Sequence, residues 1–325
     1  MRVCLSIRSG AALLAAAFAF AMPAGAASWP EKPVRMIVPF NTGGGTDIQA
    51  RLLAQKLQEL SGQHFIVENR PGASGLIGAQ VVVESPPDGY TLLFTTATLA
   101  INTTLHAKML KFDPRADLVP ATVVSNAPNV LCVHPSVPAR TVPDLIALAK
   151  ERPGKLNIGV NTTGSTSHLA AEMLKDLADI NTVIVPFTGG GPASVALMTG
   201  EIDFLFATGP VASAALKTGR VRCLAVTTAE RNRSFPDLPT MNEFLPGLVT
   251  GNWYAMFFPK GTSADTATRL AVLIRQALDD DQVKAFYARE GLEAVASAPS
   301  DLFALLRHDI DKYAGVIRTA GISIE

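Results

Sequence analysis

The chain has 325 residues, 28 Lys plus Arg balancing 28 Asp plus Glu, and 17% charged residues. That length allows two α/β domains or one large one, and a formal net charge of zero leaves no electrostatic footprint for nucleic acid or an anionic membrane. After an apolar leader, no stretch is long enough to span a bilayer.

The leader reads as a secretory signal peptide. Arg2 and Arg8 supply the basic n-region, Ala11 to Ala21 the apolar h-region, and Ala24-Gly25-Ala26 an A-x-A cleavage site. Residues 1–26 are expected to be removed near Ala26 and the mature chain exported to the periplasm. The apolar run is short for an uncleaved anchor, and Cys4 precedes it, which excludes a lipidated cysteine at the cleavage site.

In the mature chain the β-branched run Met36-Ile37-Val38 predicts a buried strand that Pro39 ends. Gly43-Gly44-Gly45 follows, then Thr46 at a helix N-cap with Gln49 three residues on, a capping-box pattern. Ile48, Leu52, Leu57 and Leu60 recur at roughly helical spacing, and Gly62 stops the helix. A glycine loop entering a helix N-terminus presents unpaired backbone N–H groups with nothing bulky in front of them, which attracts carboxylate or phosphate. Phe65 to Glu68 predicts a second strand, Asn69 to Gly75 a turn-rich loop, and Thr91 to Thr95 a third strand after a short helix. Such alternation predicts a mostly parallel sheet with ligand loops at the strands' carboxyl ends, so Thr95, Thr96 and Ala97 point at a cleft.

Trp29-Pro30, Lys32 to Phe40, Gly43 to Asp47, Glu68-Asn69-Arg70-Pro71-Gly72-Ala73 and Pro87-Asp88-Gly89-Tyr90-Thr91-Leu92-Leu93 carry a resemblance. They are similar to the opening of the Bug-type (TctC-like) extracytoplasmic solute receptors, the soluble binding proteins of tripartite tricarboxylate transporters. The likeness continues to the C-terminus, over nearly the whole mature chain. It implies an α/β, two-lobed periplasmic binding protein, type II-like, each lobe a mostly parallel sheet flanked by helices, with two crossover strands. Asn41-Thr42 stands where Pro-Pro is common in the family.

Further along, Val119 to Val124 and Val130 to Val133 predict two strands with turn formers between them, a crossover into a second lobe. Thr141-Val142-Pro143-Asp144 opens a helix with a capping box, and Leu156 to Val160 is the next strand. Asn161 to His168 is a hydroxyl-rich loop that resembles the family's second ligand loop. One of Ser165, Thr166 and Ser167 is expected to cap the next helix, which leaves more hydroxyls than a cap needs; His168 is more often a packed helix residue than a ligand. Val185-Pro186-Phe187-Thr188-Gly189-Gly190-Gly191-Pro192 echoes the first glycine loop and suggests similar loops from two lobes meeting one ligand. Glu201 to Ala207 predicts a strand with Thr208-Gly209 at its end, Asp203 a backbone tether, and Leu224 to Thr227 the return crossover. Trp253 to Pro259 reads as a first-lobe strand, followed by helices over Ala264 to Leu278 and Leu302 to Ile317. The expected lobes are residues 27–125 with 228–325, and residues 126–227.

No G-x-S-x-G, H-E-x-x-H, Walker A or G-x-G-x-x-G pattern occurs, and the five histidines are scattered. Binding is therefore favoured over catalysis, with no cofactor and no metal expected. Carried onto matching positions, the family's binding role falls on Phe40, Asn41, Thr42, Gly43, Gly44 and Asp47 in the first loop. It extends to Thr96, to Thr163, Gly164, Ser165, Thr166, Ser167 and His168, to Gly189 and Gly190, and to Thr208. Asp47 either caps its helix or accepts a ligand's ammonium or hydroxyl. The resemblance implies a monomeric receptor that grips a small organic carboxylate through loop amides, hydroxyls and bridging waters, then delivers it to integral-membrane transporter subunits. A ligand sensor feeding a signalling partner and a periplasmic enzyme acting on a carboxylated substrate are the alternatives. Cys132 and Cys223 lie in apolar strand-like runs, as two buried thiols or as a bridge.

Overall fold

The computed structural model describes residues 29–43, 45–319 and 321–322, so the signal-peptide reading over residues 1–26 and the site candidate Gly44 lie outside the described residues. The first part of the chain forms β1 (Val34–Val38), α1 (Gly45–Ser61), β2 (Phe65–Asn69), α2 (Leu76–Val83), β3 (Thr91–Thr96) and α3 (Thr98–Leu105). β1 runs parallel to β2 on one side and β3 on the other. The short α4 (Pro114–Asp117) leads into β4 (Leu118–Val133) and α5 (Val142–Glu151). A second parallel group follows: β5 (Asn157–Val160), α6 (Thr166–Ala178), β6 (Val183–Pro186), α7 (Gly190–Thr199), β7 (Phe204–Thr208) and α8 (Gly209–Lys217), with β5 between β6 and β7. The remaining elements are β8 (Arg222–Val226), β9 (Gly251–Pro259), α9 (Ala264–Asp279), α10 (Asp281–Arg289), β10 (Glu293–Ala294) and α11 (Pro299–Thr319).

Strand order is β2-β1-β3-β9-β4-β7-β5-β6, and β4 is the member that both halves share. It pairs antiparallel with β9 from Leu118 to Pro128, then with β7 from Asn129 and β8 from Val130, in each case to Val133. Two strands were expected here; one continuous strand is found. The turn formers do not break it because its partners change there: the register with β9 shifts between Val123 and Ser125, and Pro128 is the last residue paired to β9.

Side chains alternate across each sheet, and the alternation builds four cores. Leu92 and Phe94 join Met36, Leu53 and Met256 on one face of the first lobe, while Leu93 joins Ile37, Phe257 and Tyr313 on the other. In the second lobe Phe204 and Phe206 sit with Leu131 and Ile158, and Leu205 with Val130 and Leu197. On α1 the buried face is Ala50, Leu53, Ala54 and Leu57. Of the expected stripe only Leu57 is fully buried; Leu52 is half-buried, and Ile48 and Leu60 are exposed, at 45% and 46%, because the buried face runs through Ala50, Leu53 and Ala54 instead.

The two glycine loops are not structural equivalents. β1 is flanked by strands on both sides, as is β5, whereas β6 is the edge strand and matches β2. Past Leu224–Thr227, the expected return crossover, Met241 and Leu248 sit in the core of Leu131 and Ile158.

Cys132 and Cys223 are bonded, with Cα atoms 4.0 Å apart on the paired strands β4 and β8. A link across a sequence separation of 91 residues restricts the unfolded chain and contributes about 2–4 kcal/mol. Reduction, or the double change Cys132→Ser with Cys223→Ser, should lower Tm by roughly 5–10 °C in calorimetry. A thiol assay on unfolded mature chain without reductant should find no free thiol; two reactive thiols would contradict the bridge.

Candidate functional site

Five helices begin at one cavity of about 410 Å³ between the halves. Gly45 and Thr46 of α1 and Thr98 of α3 line it from the first lobe; Thr166 of α6, Gly190 and Gly191 of α7, and Pro210 and Val211 of α8 line it from the second. Parallel strands place the following helices' N-termini at the sheet's carboxyl edge, so this convergence follows from topology. Each N-terminus carries about half a positive charge and N–H groups without helical partners.

Several of those N–H groups also lack a cap. Gly189, the N-cap of α7, sits at φ 147°, which only glycine adopts readily, and has no side chain to offer. Thr208, the N-cap of α8, makes no side-chain cap bond, and Pro210 has no N–H, which leaves Gly209 and Val211 as donors. α6 differs: Ser165 accepts from the His168 backbone N–H and so acts as its cap.

Among the described residues lining the cavity there is no Lys, Arg or His. Its one acidic residue, Glu290, accepts from Arg289 Nε at 2.9 Å. Ile48, Val211, Phe286 and Leu292 give apolar wall for a carbon skeleton, and Tyr254 and Asn252 give polar floor. Burial pushes the Tyr254 hydroxyl pKa up, outweighing the opposite pull of the nearby Asn252 and Gln49 side chains, so it remains an O–H donor. Gly45 leaves room for that hydroxyl: a Cβ there would lie 3.5 Å from Tyr254 Oη.

Of the candidates, Phe40, Gly43, Thr96, Ser165, Thr166, Gly190 and Thr208 line the cavity. Asn41, Thr42, Asp47, Thr163, Gly164, Ser167, His168 and Gly189 do not; several of these hold the loops in place. Ser167 Oγ accepts from the Asn161 N–H at 2.9 Å, and His168 Nδ1 from the Gly164 N–H at 3.1 Å. Asn161 and Thr162 belong to the loop expected to be the second ligand loop but were not singled out as contacts; sequence reasoning missed Asn252, Tyr254 and the end of α10, and read Gln49 only as a cap. The Asn252–Tyr254 alternation in β9 was the available signal, but the partner of that face depends on a fold that brings β9 beside β3.

A family model for the tripartite tricarboxylate transporter family receptor matches residues 49–322. The chain belongs to this receptor family. Protein BugT of Bordetella pertussis is 36% identical over 310 residues, covering 94% of each chain. A Rhodopseudomonas palustris protein solved with adipate superposes with TM-score 0.83 at 35% identity, covering 91% of this chain and 99% of that one. MatC from the same organism, with bound malate, gives TM-score 0.79 at 29% identity, covering 89% and 99%. No helix among the described residues is long and apolar enough to cross a membrane.

In this family member the first glycine loop is braced by Asp47. Its carboxylate accepts from the Gly43 N–H at 2.9 Å, from Arg51 Nε at 3.0 Å and from Asn69 Nδ2 at 3.0 Å, and Asn69 Nδ2 also donates to the Phe40 carbonyl. Asp47 lies outside the cavity lining, and its carboxylate holds the loop's shape. Burial is the largest single influence and raises its pKa, but Arg51, the Gly43 N–H and Asn69 together outweigh it and hold the pKa below the ordinary value. A lowered carboxylate pKa contributes stability that is present above the unfolded value, about 3.9, and is lost as pH falls through the folded value. Asp47→Asn should therefore cost about 1–3 kcal/mol at pH 7, read by urea unfolding. The gap to wild type should stay constant down to about pH 4 and close below it.

The halves also touch at two glycines. A Cβ on Gly164 would lie 2.5 Å from Leu105 Cδ2 of α3, and one on Gly209 would lie 2.7 Å from the Gly291 carbonyl oxygen. Backbone oxygen cannot rotate aside, so Gly209→Ala should hold the walls apart. Calorimetric titration should show ligand affinity lowered by about tenfold or more, an expectation drawn from the cost of small misplacements in a built site.

Proposed function

We propose that the protein is a periplasmic solute-binding receptor that captures a small organic carboxylate in the inter-lobe cleft and passes it to a tripartite-type membrane transporter. The observation that carries this reading is the convergence of five helix N-termini on a cavity with no Lys, Arg or His among its described lining residues. Backbone donors hold an anion firmly, yet without a salt bridge that would slow its release. Relatives solved with adipate and with malate support a dicarboxylate in particular. Phe40, Gly43, Thr96, Ser165, Thr166, Gly190 and Thr208 are the proposed contacts among the sequence candidates. Gln49, Asn161, Asn252 and Tyr254 join them.

Export of a monomer, with the leader cleaved near Ala26, belongs to the same proposal. So do the lobe boundaries: the burial of Met241 and Leu248 in the Leu131 core favours ending the second lobe near residue 250, later than residue 227. The lobes then close on ligand about β4 and the start of β9. Receptor capture, with no chemical step, suits a cavity of amides and hydroxyls.

A thermal-shift screen of the mature protein tests the reading with dicarboxylates, tricarboxylates, aromatic acids and their matched amides. An acid at 100 times its Kd should add about 2.7 kcal/mol, and its amide far less. A shift with neutral compounds and with no acid would sink the carboxylate reading.

A further inference from the structure

Two polar atoms in this cleft are buried without partners, and they are of opposite kind. Gln49 of α1 is 1% exposed and lines the cavity. Its Oε1 accepts from Ser125 Oγ of β4 at 2.9 Å, while its Nε2 meets no acceptor. On the opposite wall Asn161, directly after β5, has a buried Oδ1 that meets no donor. That oxygen stands beside the first turn of α7, since a Cβ on Gly190 would lie 3.5 Å from it.

A buried donor or acceptor left unmatched costs about 1–3 kcal/mol. The cleft therefore gains most from a ligand that supplies both partners. A plain carboxylate has only acceptors: it can serve Gln49 Nε2, but it leaves Asn161 Oδ1 unmatched and faces it oxygen to oxygen. A hydroxyl on the ligand's carbon skeleton supplies the missing donor. An ammonium would supply one too, but it would sit against the positive ends of five helices, and the one acidic side chain in the lining, Glu290, is already paired with Arg289.

We infer that the cleft selects hydroxy-substituted carboxylic acids, with Asn161 Oδ1 accepting from the ligand hydroxyl and Gln49 Nε2 donating to a ligand oxygen. This rests on the carboxylate-receptor reading and adds the substituent that distinguishes one acid from another. Gln49 and Asn161 are thus specificity-determining residues of the same site.

Calorimetric titration with butanedioate, its 2-hydroxy derivative and its 2-amino derivative, and with the same three on a six-carbon chain, tests the inference. The hydroxy acid should bind about tenfold or more tightly than the plain acid at one chain length at least. Asn161→Leu should bring that ratio to within about twofold, and Asn161→Ala should do the same if the leucine variant does not fold. Gln49→Met should weaken plain and hydroxy acids together, by about fivefold or more. Equal binding of plain and hydroxy acids, tightest binding by the amino acid, or a ratio unmoved by both Asn161 variants would each overturn the inference. If all six fail here while another acid succeeds in the thermal screen, hydroxyl selection falls and the receptor reading stands. If no acid binds in either assay, both fall.

Discussion

β4 joins the two halves through ladder bonds on either side, and its midpoint is tied by a buried polar knot. At Asn129 the strand changes partners, and there its N–H donates to Thr227 Oγ1 at 3.1 Å and its Nδ2 to Thr250 Oγ1 at 3.2 Å. Thr227 Oγ1 donates to the Thr250 carbonyl at 2.7 Å, and the Thr250 N–H returns to the Thr227 carbonyl at 2.9 Å. The three side chains are 0 to 2% exposed, so each bond is made away from competing water. Three chain segments meet in this knot: the middle of β4, the end of β8 and the approach to β9. Thr166, at the start of α6 in the cleft, also donates to Asn129 Oδ1, at 3.4 Å. The crossing between lobes and the wall of the site are therefore one connected structure.

From that constraint the electrostatics of the cleft follow. Two parallel strand groups, set on either side of a shared antiparallel pair, turn their carboxyl edges towards each other. Helix starts from both groups then face one volume, and their fields add with no cationic side chain among the described lining residues. Charged side chains nearby serve the scaffold: Asp47 with Arg51 shapes the first loop, and Arg289 engages Glu290. Glycine supplies the rest. At Gly43 the φ of 81° allows the loop to turn back onto Asp47, and at Gly209 the missing Cβ allows the lobes to approach.

Much of this was legible in the residues, because its causes are local. Strand–loop–helix units, the Thr141–Asp144 capping box and the Asp203 tether to the Asn157 N–H are written in short stretches of sequence. The illegible parts depend on partners distant in sequence. Ser125 to Pro128 looks like a break until β9 and β7 lie alongside it in turn. Val185 to Pro192 repeats the wording of the first glycine loop but sits on an edge strand, so sequence likeness and topological position part company. Gln49 fits a capping box by spacing, yet the helix begins one residue before Thr46, and Ser125 draws the glutamine amide into the cleft floor. Asp47 reads as a helix cap or a ligand contact, and its part in bracing the loop shows only once Asn69, more than twenty residues away, is seen to share its carboxylate.

The central claim is that backbone N–H groups at helix starts, and no cationic side chain, hold the ligand's carboxylate. Amide NMR of the mature protein, saturated with the tightest-binding acid of the thermal screen, tests it most directly. The account predicts that the amide protons of Gly45, Gly190, Gly191 and Val211 move downfield with the acid and stay in place with its matched amide. Unmoved helix-start amides, with the shifts confined to lysine or arginine side chains, would contradict it.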